Sequence, residues 1–94
     1  MALDARSARL YQAAGGGHGD YSGNEVEMLD LAADNPRWIQ LMEPTFAVRD
    51  GPYYSDGKPT SRHNYFGSHV NEFDNRIMLF GGAQYSSGAI LKTV

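Results

Sequence analysis

The sequence lacks cysteine and has no long apolar run, and each absence excludes a class of protein. Without cysteine there are no disulfides, no thiolate metal ligands and no cysteine nucleophile. No apolar run approaches the roughly 20 residues that a helix needs to span a bilayer, so we expect no membrane insertion. Asp4, Arg6 and Arg9 interrupt the stretch in which an export signal would need an apolar centre, so we expect no signal peptide there.

Positive charge is also scarce. The 94 residues include 8 basic and 11 acidic side chains, which gives a formal net charge of −3. A protein that binds a phosphate backbone needs a basic patch, so we predict no nucleic-acid partner. The content of 41% hydrophobic and 12% aromatic residues is typical of a folded chain, and the length allows one small domain or a piece of a larger one.

Glycine is abundant and unevenly placed. The 11 glycines cluster early and late in the chain, and each cluster follows an apolar stretch that has an arginine near its start. A spacing of 65 residues separates Gly17 from Gly82 and Gly23 from Gly88. This regularity predicts an internal repeat.

The second half of the chain has the pattern of successive strands. His63–Val70 leads into a polar turn at Asn71–Asn75, the apolar run Ile77–Phe80 ends at a glycine pair, and Gly88–Val94 is rich in β-branched residues. We therefore predict three strands, with a hairpin turn between the first two.

The segment Ser22–Ala33 has two interpretations. Ser22 and Glu25 have the spacing of a helix capping box, with Val26 and Leu29 on one helical face. The same residues also suit a strand that is buried on both sides. Local propensity leaves the choice between helix and strand open.

Several stretches in order resemble the kelch repeat of β-propellers: Arg9–Gly17, Asn24–Leu31, Arg37–Leu41, Ser61–Tyr65 and Arg76–Gly82. The resemblance implies an all-β chain of antiparallel four-stranded blades. It divides the chain into residues 1–44 (strands two to four of one blade), an inserted loop at 45–61, and residues 62–94 (strands one to three of the next). It also gives structural roles to Gly16, Gly17, Trp38, Gly81 and Gly82. Met28 and Leu29 depart from the family, which usually has a bulky aromatic residue there.

About one and a half blades cannot close a propeller, which has roughly 4 to 8 blades. The expected partners are therefore the remaining blades or neighbouring subunits. Blade geometry would also gather loop residues on one rim that binds a protein or glycan partner; these are His18, Asp20, Tyr21, Tyr53, Tyr54, Arg62 and His63. The alternative for Arg62 is an ion pair with an acid of the neighbouring blade.

Metal and catalytic chemistry have less support in the sequence. His18, Asp20 and His63 are of ligand type, but no short motif fixes their spacing, so we assign neither a metal nor a cofactor. Some kelch-type propellers are copper radical oxidases, which need a tyrosine bonded to cysteine, and this chain has no cysteine. Glu25 and Glu27 suit a solvated strand face better than a pair of acid–base catalysts.

The sequence thus predicts a non-enzymatic binding or scaffold module, a kelch-like propeller segment with a loop rim. Two alternatives remain: a structural component of a larger assembly such as a phage virion or tail, and part of a metal-dependent propeller enzyme. The units resemble bacterial and phage-borne kelch proteins, which implies an extracellular or virion-associated location.

Overall fold

The computed structural model describes residues 1–16, 21–47 and 51–92. Their regular secondary structure consists of strands: β1 (Ala2–Asp4), β2 (Arg9–Ala13), β3 (Val26–Asp30), β4 (Trp38–Met42), β5 (Arg62–His63), β6 (Ser68–Asn71), β7 (Arg76–Leu79) and β8 (Ala83–Gln84). The all-β prediction is confirmed. The helical interpretation of Ser22–Ala33 is wrong, because β3 pairs on both sides with other strands and its backbone hydrogen bonds go to them.

The first four strands form one antiparallel sheet in the order β1-β2-β3-β4. We expected three strands in this segment, and β1 is the additional one. It ends where the Asp4 carboxylate accepts hydrogen bonds from the Arg6 N–H (3.1 Å) and the Ser7 hydroxyl (2.6 Å), which closes a tight turn into β2. A register shift at Val26 and Glu27 marks a bulge opposite β4.

The second half contains two smaller pairings. Strands β6 and β7 form the hairpin predicted around Asn71–Asn75, while β5 pairs with β8. The predicted strand Gly88–Val94 is reduced to a bridge between Ala83 and Ile90 and a hydrogen bond from the Leu91 N–H to the Gly82 carbonyl (2.8 Å). Thr93 and Val94 lie outside the described residues.

The two hairpins β1–β2 and β6–β7 share the same backbone features, displaced by 67 positions. Ala8 and Asn75, which precede the second strand of each hairpin, have φ of 54° and 55°. Ala14 and Gly81, which follow that strand, have φ of 50° and 61°. The structural repeat is therefore 67 residues, not the 65 that the glycines suggested, because Ala14 takes the left-handed conformation without being a glycine.

The first turn of each hairpin repeats in the same way. The Asn71 side chain accepts a hydrogen bond from the Phe73 N–H (3.1 Å), which matches the bond from the Arg6 N–H to Asp4 (3.1 Å). Asp4 and Asn71 are also related by the 67-residue spacing. The two stretches differ in sequence, but in each a side-chain oxygen accepts from the N–H two residues later and so forms the same type of turn.

Each of the two faces of the four-stranded sheet carries an apolar row that crosses all four strands. Residues directly opposite each other in an antiparallel sheet share a face, so one face carries the cross-strand row Ala2, Tyr11, Met28 and Ile39. The other carries the row Leu3, Leu10, Leu29 and Trp38. We call the first the inner face, because its β2–β4 residues adjoin the β6–β7 hairpin across a gap of about 100 Å³, and the second the outer face.

The interior of the chain is small. Among the described residues, the buried apolar side chains are Ala2, Ala14, Tyr54 and Leu91. The accessible surface of 5956 Å² exceeds the roughly 5350 Å² that the size of a typical monomer implies. Large apolar side chains are exposed as well, among them Phe66 at 92% and Phe73 at 101%.

Candidate functional site

The segment Pro52–Thr60, within the predicted loop 45–61, forms a compact turn. The Tyr54 N–H donates to the Lys58 carbonyl (2.8 Å) and the Thr60 N–H donates to the Pro52 carbonyl (3.1 Å). Gly57, with φ of 84°, supplies the left-handed step that this turn requires. The turn therefore presents Tyr53 and Tyr54 on a defined backbone.

Asn24 anchors this turn to the first sheet. The side chain is 1% exposed, and its amide N–H donates to the Pro59 carbonyl (2.8 Å). Its amide oxygen accepts from the Thr45 N–H (2.6 Å). One asparagine thus holds three chain segments together, a role that nothing in the sequence pattern distinguished from an ordinary turn residue.

Arg62 lies beneath the turn and is 2% exposed. Its Nε–H donates to the Thr60 carbonyl (3.1 Å), Nη1 donates to the Gly81 carbonyl (3.3 Å), and Nη2 donates to the Pro52 carbonyl (2.8 Å). These acceptors are neutral, and within the described ranges no acidic side chain pairs with it. Burial lowers the pKa of the Arg62 guanidinium.

A cleft of about 290 Å³ opens between this turn and the β6–β7 hairpin. Arg62 contributes to its lining, as do Tyr53 and Pro59 of the turn and Ile77 and Leu79 of β7. Asp74 and Arg76 also line it, and they face each other with Arg76 Nε 3.6 Å from Asp74 Oδ2. We call this space the Arg62 cleft.

The predicted rim residues do not share one environment. Tyr53 is 48% exposed, whereas Tyr54 is 4% exposed, and its hydroxyl donates to the Ser22 carbonyl (3.1 Å) and accepts from the Ser61 N–H (3.3 Å). Tyr54 therefore belongs to the interior and offers little surface to a partner. His18 and Asp20 lie outside the described residues.

Tyr21 and Phe46 form an exposed aromatic pair. Their ring centroids are 5.8 Å apart in an edge-on arrangement, and they are 42% and 65% exposed. The Tyr21 hydroxyl donates to the Glu25 carboxylate (2.9 Å). Partial desolvation, followed by this bond and the charge of Glu25, raises the pKa of Tyr21.

Of the three candidate metal ligands, only His63 is described, and its ring lies 4.1 Å from that of Tyr65. In the described part of the chain, no three histidine, cysteine or acidic side chains are grouped as a metal site would require. The metal hypothesis rests on His18 and Asp20, which the structure does not describe.

The residues predicted to be structural fall into two groups. Gly81 and Gly82 adopt φ of 61° and 97°, as expected for glycines that end a strand. A side chain at the buried Gly16 would collide with the carbonyl oxygen of Gly23. Trp38, by contrast, is 45% exposed on the outer face at the edge strand β4. Gly17 lies outside the described residues.

The 67-residue repeat shows which face of the β6–β7 hairpin corresponds to the outer face of the first sheet. Val70 and Ile77 line, together with Tyr11 and Leu41, a cleft of about 710 Å³ between the two units. By the 67-residue displacement, Val70 corresponds to Leu3 and Ile77 to Leu10. The second hairpin therefore turns the equivalent of an outer face toward the inner face of the first sheet.

Comparisons with known proteins found no match: no family model, no curated protein and no solved structure resembles the chain significantly. Among the residues that the structure describes, there is no helix of the length and hydrophobicity needed to cross a membrane.

Proposed function

We propose that the chain is a non-enzymatic scaffold module whose repeated β-units pack face to face, as in a kelch-like propeller segment. The main support is the orientation of the β6–β7 hairpin. Its residues Val70 and Ile77 correspond to outer-face residues of the first sheet, and they line a cleft toward the inner face of that sheet. The outer face of the first sheet presents Leu3 and Leu10 at the same repeat positions. A further unit of this kind is therefore the occupant that fits that face.

One apolar row of the outer face is partly open to water. Its row crosses all four strands, and its end members Leu3 and Trp38 are 56% and 45% exposed. Apolar rows that span a sheet and remain open to water mark surfaces that another element covers. In the second hairpin Phe80 is also 42% exposed, and its ring lies edge-on to that of His69 with 5.7 Å between the ring centroids.

Such packing is head-to-tail, because the two surfaces that meet are different. Contacts of this type form rings or filaments from repeated copies or units. This supports the scaffold role and is compatible with a structural component of a virion or tail. The exposed pair Tyr21 and Phe46 favours an additional role for the loops, since open aromatic rings suit stacking against a glycan or a protein loop.

The test is the mass of the native material combined with a matched pair of variants. Trp38 and Ile39 are neighbours in β4 with exposures of 45% and 46%, but they lie on opposite faces. Covering the exposed part of Trp38, about 110 Å² of a large aromatic side chain, stabilises an assembly by about 3 kcal/mol. Trp38→Ser should therefore weaken assembly about a hundredfold in light-scattering titrations, and Ile39→Ser should change it little.

Two outcomes contradict the proposal. One is wild-type material that is fully folded and monomeric near 10.3 kDa at all accessible concentrations. The other is an assembly that Trp38→Ser and Ile39→Ser weaken equally, since that would place the contact elsewhere than on the outer face.

A further inference from the structure

We propose that the Arg62 cleft binds a small carboxylic acid that carries a compact apolar group. The observation behind the proposal is that Arg62 is 2% exposed and lines an open cleft, while the described hydrogen-bond acceptors of its guanidinium are neutral. This inference concerns a ligand site and is independent of the face-to-face packing.

The charge of Arg62 is incompletely compensated within the described chain. Of its five N–H groups, three donate to backbone carbonyls and one lies 3.5 Å from the Thr60 hydroxyl. The remaining N–H, on Nη1, has no acceptor among the described residues. A buried cation with neutral partners is costly, and a carboxylate at this position would supply the missing charge and the missing acceptor.

The nearby ionised groups leave the cleft positive. Asp74 is the acidic residue of the lining, and it is paired with Arg76 rather than with Arg62. The lining thus carries two guanidinium groups and one carboxylate, a net charge of +1 on a chain whose overall charge is −3. A monoanion balances this charge, whereas a phosphate dianion would need more donors than the cleft provides.

The remaining walls specify the apolar part of the ligand. Tyr53 and Pro59 on the turn and Ile77 and Leu79 on the hairpin present rings and aliphatic groups to the same space. A volume of about 290 Å³ accommodates a molecule with a single ring. An aromatic or alicyclic monocarboxylate therefore satisfies the lining better than a sugar or a free inorganic anion does.

The test is a titration of the 94-residue chain with benzoate, benzamide and inorganic phosphate, followed by ¹⁵N–¹H NMR. We expect benzoate to shift the Nε–H resonance of Arg62 and to bind at least tenfold more tightly than benzamide or phosphate. Equal binding of benzamide would overturn the proposal, because the charge would then contribute nothing. Equal binding of phosphate, or an Nε–H resonance that benzoate leaves unmoved, would overturn it as well.

Variants that leave Arg62 intact localise the site. Tyr53 and Tyr65 are both exposed tyrosines, at 48% and 70%, but only Tyr53 lines the cleft. Tyr53→Ala should weaken benzoate binding at least threefold, and Tyr65→Ala should leave it unchanged. Equal effects of the two substitutions would refute the assignment to this cleft.

Discussion

Replacement of Asn24 by alanine should destabilise the chain more than any substitution of an exposed residue. Asn24 is 1% exposed and makes two hydrogen bonds that join the first sheet to residues Thr45 and Pro59. Alanine removes both bonds and leaves the Pro59 carbonyl and the Thr45 N–H without that partner. Each lost hydrogen bond costs about 1 kcal/mol, and the two buried polar groups left without a partner add to this cost. The free energy of unfolding should therefore fall by about 3 kcal/mol.

The loss is large against the roughly 5 to 15 kcal/mol that stabilises a domain of this kind. Urea denaturation at one fixed protein concentration measures it, since assembly would otherwise shift the midpoint. Asn35→Ala is the matched control, because Asn35 is exposed and should change the free energy of unfolding by less than 0.5 kcal/mol, the order expected for surface positions. A loss below about 1 kcal/mol for Asn24→Ala would refute the inferred anchoring role.

Two further predictions concern the backbone and an exposed carboxylate. Gly82→Ala should lower the free energy of unfolding by about 1 to 3 kcal/mol in urea denaturation, because φ is 97° and the new Cβ would lie 3.1 Å from the His63 carbonyl oxygen. Gly57→Ala is the control for backbone strain alone, since Gly57 has φ of 84° and no atom within 4 Å of the new Cβ. Equal losses for the two substitutions would contradict the steric argument. The Thr45 hydroxyl, then the Lys58 N–H, hold the pKa of Asp56 below its ordinary 3.8, so the stabilisation is present above that pH and is lost as the pH falls through the lowered pKa. In an NMR titration, Thr45→Val should raise the Asp56 midpoint toward 3.8, and an unchanged midpoint would contradict the hydrogen bond.

The strands that could be predicted are those whose ends are fixed by local chemistry. The glycine pair Gly81 and Gly82 ends β7, and the polar run Asn71–Asn75 specifies a hairpin turn, so both were recognisable in the sequence. Strand β1 was not, because Ala2–Asp4 is short and lacks β-branched residues. The pairing of β1 depends on the Asp4 turn and on β2. The strand propensities of its own residues therefore do not predict it.

The repeat was recognisable, but its register was not. Glycines were matched to glycines at 65 residues, whereas the backbone places Ala14 opposite Gly81 at 67. An alanine in the left-handed region costs about 1 kcal/mol or more and is held there by the surrounding contacts. Ala14 is 2% exposed, which provides those contacts. Conformation was thus repeated more faithfully than sequence.

The sequence indicated Tyr53, Tyr54 and Arg62 as rim residues but did not predict which of them would be buried. Nothing in the local sequence separates the exposed Tyr53 from the buried Tyr54, since the difference arises from the tertiary bond of the Tyr54 hydroxyl to the Ser22 carbonyl. The burial of Arg62 and Asn24 likewise had no local signal, because it depends on backbone carbonyls and N–H groups from distant segments.

The two unequal faces also constrain the form of any assembly. If identical surfaces met, association would stop at a symmetric dimer and the outer face of each copy would be consumed. Here the second hairpin and the first sheet line common clefts through dissimilar surfaces, so under the proposal each added unit leaves one open face behind it and one ahead. Such growth ends only when the rotation between successive units closes a ring. Under the proposed scaffold function, the rotation between the β1–β2 and β6–β7 hairpins would determine whether the units close as a ring or continue as a filament.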